Sequence, residues 1–282
     1  MIWPALLSVL GALALGVGWI LQHWVVDGVD RGFAELLRTP LWWAGIAAMS
    51  AGQTFSGIAL QNGPITLVAP LLSTDLLVAF LLRAALVRHR PPRSDIVGAL
   101  GVAAAVIGFV LIGGPHVTPG HEPVGLWAST LGTVIVAGLA LVLVTAGIKR
   151  GEAVVSITSA MAAGLLYGLQ DVATRACLIM LRRHPAALLL ATVWPYLFAG
   201  TAVASVLLTQ RAFRAERLDY ALPPIAATQS VVGVILGVAL IGDHLDLAIP
   251  ALAVEAGCLA LLVLSAALLS RSAAFASRAE AR

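Results

Sequence analysis

The sequence predicts an all-α, polytopic membrane protein, and three observations carry that prediction. Of the 282 residues, 60% are hydrophobic and only 11% carry a charge, where soluble chains run nearer about 25% charged. A mean hydropathy of +0.98 over the whole length leaves too little polar surface to wrap a core of this size in water. The apolar residues also come in runs of about 19 or more without the alternation of a lipid-facing barrel strand, and in lipid a helix satisfies its own backbone. About nine spans of about 23 residues use about 207 residues. That leaves no room for a soluble catalytic or nucleic-acid-binding domain.

The runs fall at 4–26, 40–60, 64–87, 95–113, 125–147, 153–179, 186–209, 221–241 and 249–270, broken by charged or Pro/Gly-rich stretches. Span 1 follows Met1-Ile2-Trp3-Pro4 without a positively charged leader region, so it reads as a retained span and not a cleaved signal peptide. Arg31 and Arg38 close it off from span 2, and Gly63-Pro64 separates spans 2 and 3. Arg88, Arg90 and Arg93 follow span 3, the Pro115–Glu122 loop follows span 4, and Lys149 and Arg150 follow span 5. Arg182 and Arg183 follow span 6, Arg211, Arg214 and Arg217 follow span 7, and Asp243 ends span 8. Span 9 leads to a tail over 271–282.

These charges orient the chain. The loops after spans 1, 3, 5 and 7, together with the tail residues Arg271, Arg278 and Arg282, hold most of the 17 Lys and Arg. By the positive-inside rule the N-terminus lies outside and the C-terminus in the cytoplasm of a cell membrane. Arg182 and Arg183 are the discordant pair. Arg83 lies near the inner end of span 3, where it can snorkel.

The chain also reads as two inverted copies. Gly16 is followed by Leu21-Gln22-His23 in span 1, and Gly164 by Leu169-Gln170-Asp171 in span 6, an offset of 148. Pro64-Ile65 opens an apolar run and Pro224-Ile225 opens another, an offset of 160. The expected division is a first repeat over 1–114, a joining helix over 125–147 and a second repeat over 153–270. Span 1 runs inward and span 6 outward, so the copies are inverted, as in secondary transporters that bind substrate near the midplane between repeats. Chance likeness between two Leu/Ala/Gly-rich segments is the competing reading. Gly164-xxx-Gly168 and Gly233-xxx-Gly237 fit close helix contacts and need no further role.

Polar residues inside the runs are the candidates for function. Asp75 lies about eleven residues past Pro64 and so about 16 Å deep, near the midplane of a core about 30 Å thick. A carboxylate there must be protonated, paired or facing a wet cavity, and such residues mark substrate and proton paths. Ser73 and Thr74 add hydroxyls beside it. Asp171 and Arg175 stand four apart on one helix face, where they either neutralise each other or bind substrate or protons. Glu255 in span 9 is read at a similar depth to Asp171, and the two together suggest an acidic site open to the outside. Gln22 and His23, Gln53 and Thr54, and Thr228, Gln229 and Ser230 bring amides, hydroxyls and one imidazole that serve helix–helix hydrogen bonds or a ligand. Trp194-Pro195-Tyr196 suggests a kink in span 7 beside aromatic surface of the kind that lines an organic substrate cavity.

The stretch Trp42-Trp43-Ala44-Gly45, Ser50-Ala51-Gly52-Gln53 and Gly63-Pro64-Ile65-Thr66-Leu67-Val68-Ala69-Pro70-Leu71 resembles the drug/metabolite transporter (EamA-like) superfamily. It is most similar to the nine-helix layout of the NIPA-type magnesium-transporter branch. Leu240-Ile241-Gly242-Asp243 sits where that superfamily usually has a Gly-Glu pair. The resemblance covers nearly the whole chain in layout and implies transport. Gln53 departs from the magnesium branch, which usually carries an acidic residue there, and Mg²⁺ favours carboxylate oxygens.

The leading expectation is therefore a secondary transporter of a small organic metabolite or drug, coupled to protons through Asp75 with Asp171, Glu255 and Arg175. Gln53, Gln229, Trp194 and Tyr196 are expected to help line its site. The alternatives are a magnesium or divalent-cation transporter and a non-transporting membrane scaffold. The expected partners are the lipid bilayer, a small-molecule substrate and protons, without nucleic acid. No cofactor or resident metal is implied. His116, His121 and Glu122 lack a fixed metal motif, and Cys177 and Cys258 read as buried small hydrophobes. No phosphate loop, His-Glu-x-x-His or paired water-facing carboxylates mark an enzyme.

Overall fold

The computed structural model describes residues 2–27, 38–87, 93–112, 126–215, 218–241 and 249–280. Among them the chain is a succession of helices: α1 (Ile2–Asp27), α2 (Pro40–Asn62), α3 (Ile65–Leu72), α4 (Asp75–Val87), α5 (Arg93–Ile112), α6 (Leu126–Gly147), α7 (Glu152–Arg183), the one-turn α8 (Ala186–Leu189), α9 (Trp194–Ala215), α10 (Leu218–Leu236) with a π-helical turn over Gly237–Ile241, and α11 (Ile249–Glu280). Over its described residues, each of the nine expected spans coincides with one or two of these helices.

Six stretches among the described residues are long and apolar enough to cross a membrane: Ile2–Val25, Ile65–Leu86, Arg93–Leu111, Trp127–Gly147, Glu152–Arg183 and Ala221–Ile241. Ala253–Leu269 is a shorter apolar stretch. Helices α2 and α9 have 23 and 22 residues but are more polar: α2 carries Ser50, Gln53, Thr54, Ser56, Gln61 and Asn62, and α9 turns Thr201, Ser205, Thr209 and Gln210 inward.

Burial is inside-out relative to a water-soluble fold. Trp127 on α6 is 89% exposed, with Leu131, Leu139 and Leu141 exposed beside it, while Gln22, Asp75, Gln170, Asp171, Arg175, Gln210 and Glu255 are buried. An apolar rim around a polar interior is what a bilayer demands, since polar groups facing lipid find no partner there. This is a multi-pass membrane protein.

Helix α7 forms the centre, packed on α6, α9 and α10, while α1 lies along α2 and α5 along α11. Backbones approach closely where glycines remove the side chain. A Cβ on Gly52 of α2 would lie 2.9 Å from the Gly11 carbonyl oxygen of α1, and one on Gly11 would lie 3.1 Å from that of Gly52. Gly164 on α7 likewise admits the Ile225 carbonyl of α10, 2.5 Å from where its Cβ would be, and Gly168 admits the Val232 side chain at 2.9 Å.

The structure departs from the sequence reading in three places. Span 3 is not one continuous helix. Pro70 lacks an N–H for the helix ladder, and Ser73 and Thr74 form a tightened turn with Ser73 N–H bonded to the Pro70 carbonyl (3.2 Å) and Thr74 N–H to that of Leu71 (3.1 Å). Asp75 therefore opens the half-helix α4. Second, span 7 divides at residues 190–193, and Trp194 and Pro195 are the first residues of α9. A proline in the first turn removes an N–H that would lack a helical partner anyway, so Pro195 starts this helix and does not kink it. Third, α11 continues to Glu280, well into the stretch read as a tail. Cys177 and Cys258 are free thiols, each half-buried.

Gly52→Ala and Gly138→Ala are expected to move thermal stability in detergent in opposite directions. The first meets Gly11 backbone and Leu15 and should lose about 1–3 kcal/mol through overpacking. The second meets nothing within 4 Å and should gain about 0.5–1 kcal/mol from helix propensity. Equal shifts would refute a backbone-limited α1–α2 crossing.

Candidate functional site

The break in span 3 places Asp75 at the first turn of α4, where the helix dipole favours negative charge. Its side chain is 5% exposed. One oxygen, Oδ2, accepts a hydrogen bond from Trp19 Nε1 of α1 at 2.8 Å, while Oδ1 is buried without a hydrogen-bond partner among the described residues. Gly16, one turn before Trp19, lets α4 close up: its Cβ would lie 2.9 Å from the Asp75 carbonyl and 2.7 Å from Val78. Trp19 in turn meets Tyr167 of α7 and Phe213 of α9 edge-to-face, both with ring centroids 6.0 Å away, and His23 meets Phe213 in the same way. The Tyr167 hydroxyl faces Thr209 and Ser205 of α9 and stands within the field of the Asp75 carboxyl. Four helices thus converge on one carboxylate.

A second cluster lies around Asp171. Gln229 Nε2 of α10 donates to Asp171 Oδ2 at 3.0 Å, and Asp171 is 2% exposed. Arg175, one turn on, donates from Nη1 to the Gly63 carbonyl between α2 and α3, and Arg182 Nη2 donates to Asn62 Oδ1 at 3.1 Å. Asp171 and Arg175, expected to meet along one helix face, thus reach two different elements. Gly57 of α2 lies against Thr174, whose Cγ2 would be 3.8 Å from a Cβ there. With the Asn62–Arg182 contact this sets α2 and α7 running in the same direction. One turn earlier, half-buried Gln53 stands level with Gln170 and Asp171.

Polar contacts also tie spans 3 and 8 and spans 1 and 7. The Ser73 and Ser230 hydroxyls meet, Ser230 Oγ donates to the Ala69 carbonyl at 3.1 Å, and Gln210 Nε2 donates to Gln22 Oε1. These are helix–helix bonds of the kind expected for Gln22 and Ser230.

The remaining candidates lie apart. Tyr196 is 64% exposed and its hydroxyl donates to the Leu190 carbonyl at 2.9 Å, which places it on the outer surface and not in a cavity. Trp194 is buried at the start of α9. Glu255 is 1% exposed on α11, which packs chiefly on α5 and α10. Asp243 and the loop bearing His116, His121 and Glu122 lie outside the described residues. Among the described residues no group of three His, Cys, Asp or Glu is placed to hold a metal ion. Sequence reasoning missed Trp19, Tyr167, Ser205, Thr209 and Phe213. The 148 offset was a usable signal for two of them, since it relates Trp19 to Tyr167.

Residues 6–150, which include Trp19, Gln53 and Asp75, match the family described as Magnesium transporter NIPA. An uncharacterised protein of Corynebacterium glutamicum is 27% identical over 251 residues, covering 84% of this chain and 86% of its own length. The probable magnesium transporter NIPA6 of Arabidopsis thaliana is 31% identical over 81 residues, 29% of this chain and 24% of its own. A probable magnesium transporter of Candida albicans is 29% identical over 86 residues, 30% of this chain and 22% of its own. No solved structure gives a significant match.

Trp19→Phe retains most of the ring but removes the N–H that Asp75 accepts, which should cost about 1–3 kcal/mol of stability. In a double-mutant cycle with Asp75→Leu the coupling should be about 0.5–3 kcal/mol, measured by unfolding in detergent. Additive losses would show that the bond carries no stability.

Proposed function

The chain belongs to the magnesium transporter NIPA family, and from that premise we propose that it carries divalent cations, Mg²⁺ first among them, across a cell membrane. The match over residues 6–150 carries this reading, because it spans Asp75 and the Trp19 that orients it. It moves weight from the organic metabolite favoured by the sequence to the cation alternative. The chemistry is compatible, since Mg²⁺ keeps much of its water and is usually held through one or two carboxylates.

On this reading the chain is a carrier, not an enzyme, and it works by alternating access between two inverted repeats. Two observations support the repeat. Trp19 and Tyr167, equivalent under the 148 offset, touch each other, as residues beside a pseudo-two-fold axis do. Gly16 of span 1 closes on span 3 and Gly164 of span 6 closes on span 8, the same pairing of spans in each copy, at different heights along the helices, since Ile225 corresponds to Ile65 under the offset of 160. Asp75 then lies beside the axis, where one rocking motion can expose it to either side. The loop charges support an N-terminus outside and a C-terminus in the cytoplasm.

A second reading is favoured by the rings of Trp19, Tyr167 and Phe213 around the same carboxylate. Such a lining also suits an organic cation, through cation–π attraction, carried with proton exchange.

Purified protein in liposomes loaded with a Mg²⁺-sensitive dye is expected to admit Mg²⁺, and Asp75→Asn to slow entry by about tenfold or more, equivalent to about 1.4 kcal/mol, with the thermal transition retained. Unchanged entry in the variant would remove Asp75 from the path. Proton flux only with organic substrates, read with a pH-sensitive dye, would favour the second reading.

A further inference from the structure

Two polar contacts between the halves of the chain stand at opposite ends of the bundle. Near the C-terminal ends of α1 and α9, Gln210 Nε2 donates to Gln22 Oε1, and the His23 and Phe213 rings meet edge-to-face. Near the C-terminal ends of α2 and α7, buried Arg175 donates to the Gly63 carbonyl and Arg182 Nη2 donates to Asn62 Oδ1 at 3.1 Å. Helices α1 and α2 are antiparallel, since a Cβ on Gly11 would approach Gly52 and one on Gly18 would approach Gly45. Asp75 lies between the two contacts. Trp19, which bonds it, is about one turn from Gln22 on α1, and Tyr167, which touches Trp19, is about two turns from Arg175 on α7.

Under the proposed repeat these are one contact occurring twice. Spans 1 and 6 correspond, as do spans 2 and 7, so span 1 on span 7 is equivalent to span 6 on span 2. The register agrees. Gln22 corresponds to Gln170 under the offset of 148, and where Gln22 meets Gln210, Gln170 stands level with Gln53, one turn before the Gly57–Thr174 contact. Gln53 and Gln210 are 157 apart, between the offsets of 148 and 160 in the neighbouring spans. An axis in the membrane plane exchanges the two sides, so a contact that closes one side has a counterpart that closes the other. We infer that these contacts are the two gates of the carrier: Gln22 with Gln210 closes the inner approach to Asp75, Arg175 and Arg182 on the α2–α3 turn close the outer one, and each opens while the other holds. The structure has both shut, with Asp75 5% exposed. Arg182, discordant with the positive-inside rule, has its place in the outer gate. The inference rests on the cation-transport reading.

The test locks each gate in turn. In a Cys177→Ser, Cys258→Ser background, Gln22→Cys is combined with Gln210→Cys, and separately Asn62→Cys with Arg182→Cys, and each pair is joined by a short bis-methanethiosulfonate that a reductant releases. In Mg²⁺-uptake measurements on proteoliposomes, each cross-link, verified by mass spectrometry, should abolish uptake, and reduction should restore it. A contact that serves only packing would leave uptake intact when cross-linked. A second measurement needs no cross-link and no transport. With Gln53→Cys as the sole thiol, labelling of cells by a membrane-impermeant maleimide added outside should quicken with Asn62→Ala and slow with Gln22→Ala, because loosening one gate favours the state in which the other is shut. Uptake that survives a verified cross-link, or labelling unchanged in both variants, would overturn the gates while leaving cation transport standing. A wild type that moves no Mg²⁺ would overturn both.

Discussion

A carboxylate buried at the centre of a bilayer has to be neutralised, hydrogen-bonded or hydrated, and the middle of this bundle is arranged around that requirement at Asp75. The helix that carries it is interrupted so that Asp75 opens a half-helix, and the dipole of that half-helix favours its charge. Trp19 bonds one oxygen. The rings of Tyr167 and Phe213 brace the Trp19 indole at right angles, so α1, α4, α7 and α9 are all held to one another through the surroundings of one side chain.

That convergence is possible only because the helices come close enough. Without a hydrophobic drive between helices in lipid, association depends on fitted contacts and small residues. Gly16 is where α1 admits the backbone of α4, Gly11 and Gly52 let α1 and α2 meet backbone to backbone, and Gly164 and Gly168 do the same for α7 on α10. The same glycines that permit packing therefore set how far the indole of Trp19 is from the carboxyl of Asp75. At Asp171 the arrangement differs. Its carboxyl is held by a neutral amide from α10, and Arg175 is turned toward the α2–α3 turn. This ties α7 to the first half of the chain near Gly63, at some distance along the helix from the Tyr167 contacts.

Family membership and geometry bear on different questions. The family match covers α1 to α6 and so includes the helices that bear Asp75 and Trp19, while Tyr167, Ser205 and Thr209 lie beyond it in the second half of the chain. The relatives described as magnesium transporters align with short stretches, and the Corynebacterium protein aligns with most of the chain. The proposal of cation transport thus rests on the first half. The ring and hydroxyl contacts around Trp19 depend on how the second half is brought against it.

Composition and the length of the apolar runs determined the helical, membrane-embedded class and the approximate helix limits, because a bilayer forces each span to satisfy its backbone and to be apolar over a set length. The same reasoning found Asp75, Asp171 and Glu255, since an ionisable residue stands out in an apolar run whatever its neighbours are. It could not show that Pro70 and the hydroxyls after it break the helix ahead of Asp75, because a proline in a membrane helix is compatible with a kink, a break or neither. Tyr196 and Tyr167 look alike in sequence, and only packing sent one to the outer surface and the other to the centre. Asp171 and Arg175 stand at pairing spacing along one helix, and each also reaches another element, Asp171 to α10 and Arg175 to the α2–α3 turn. Which polar groups meet depends on contacts between residues far apart in the chain, and those are decided when backbones close on one another at glycines such as Gly16 and Gly164.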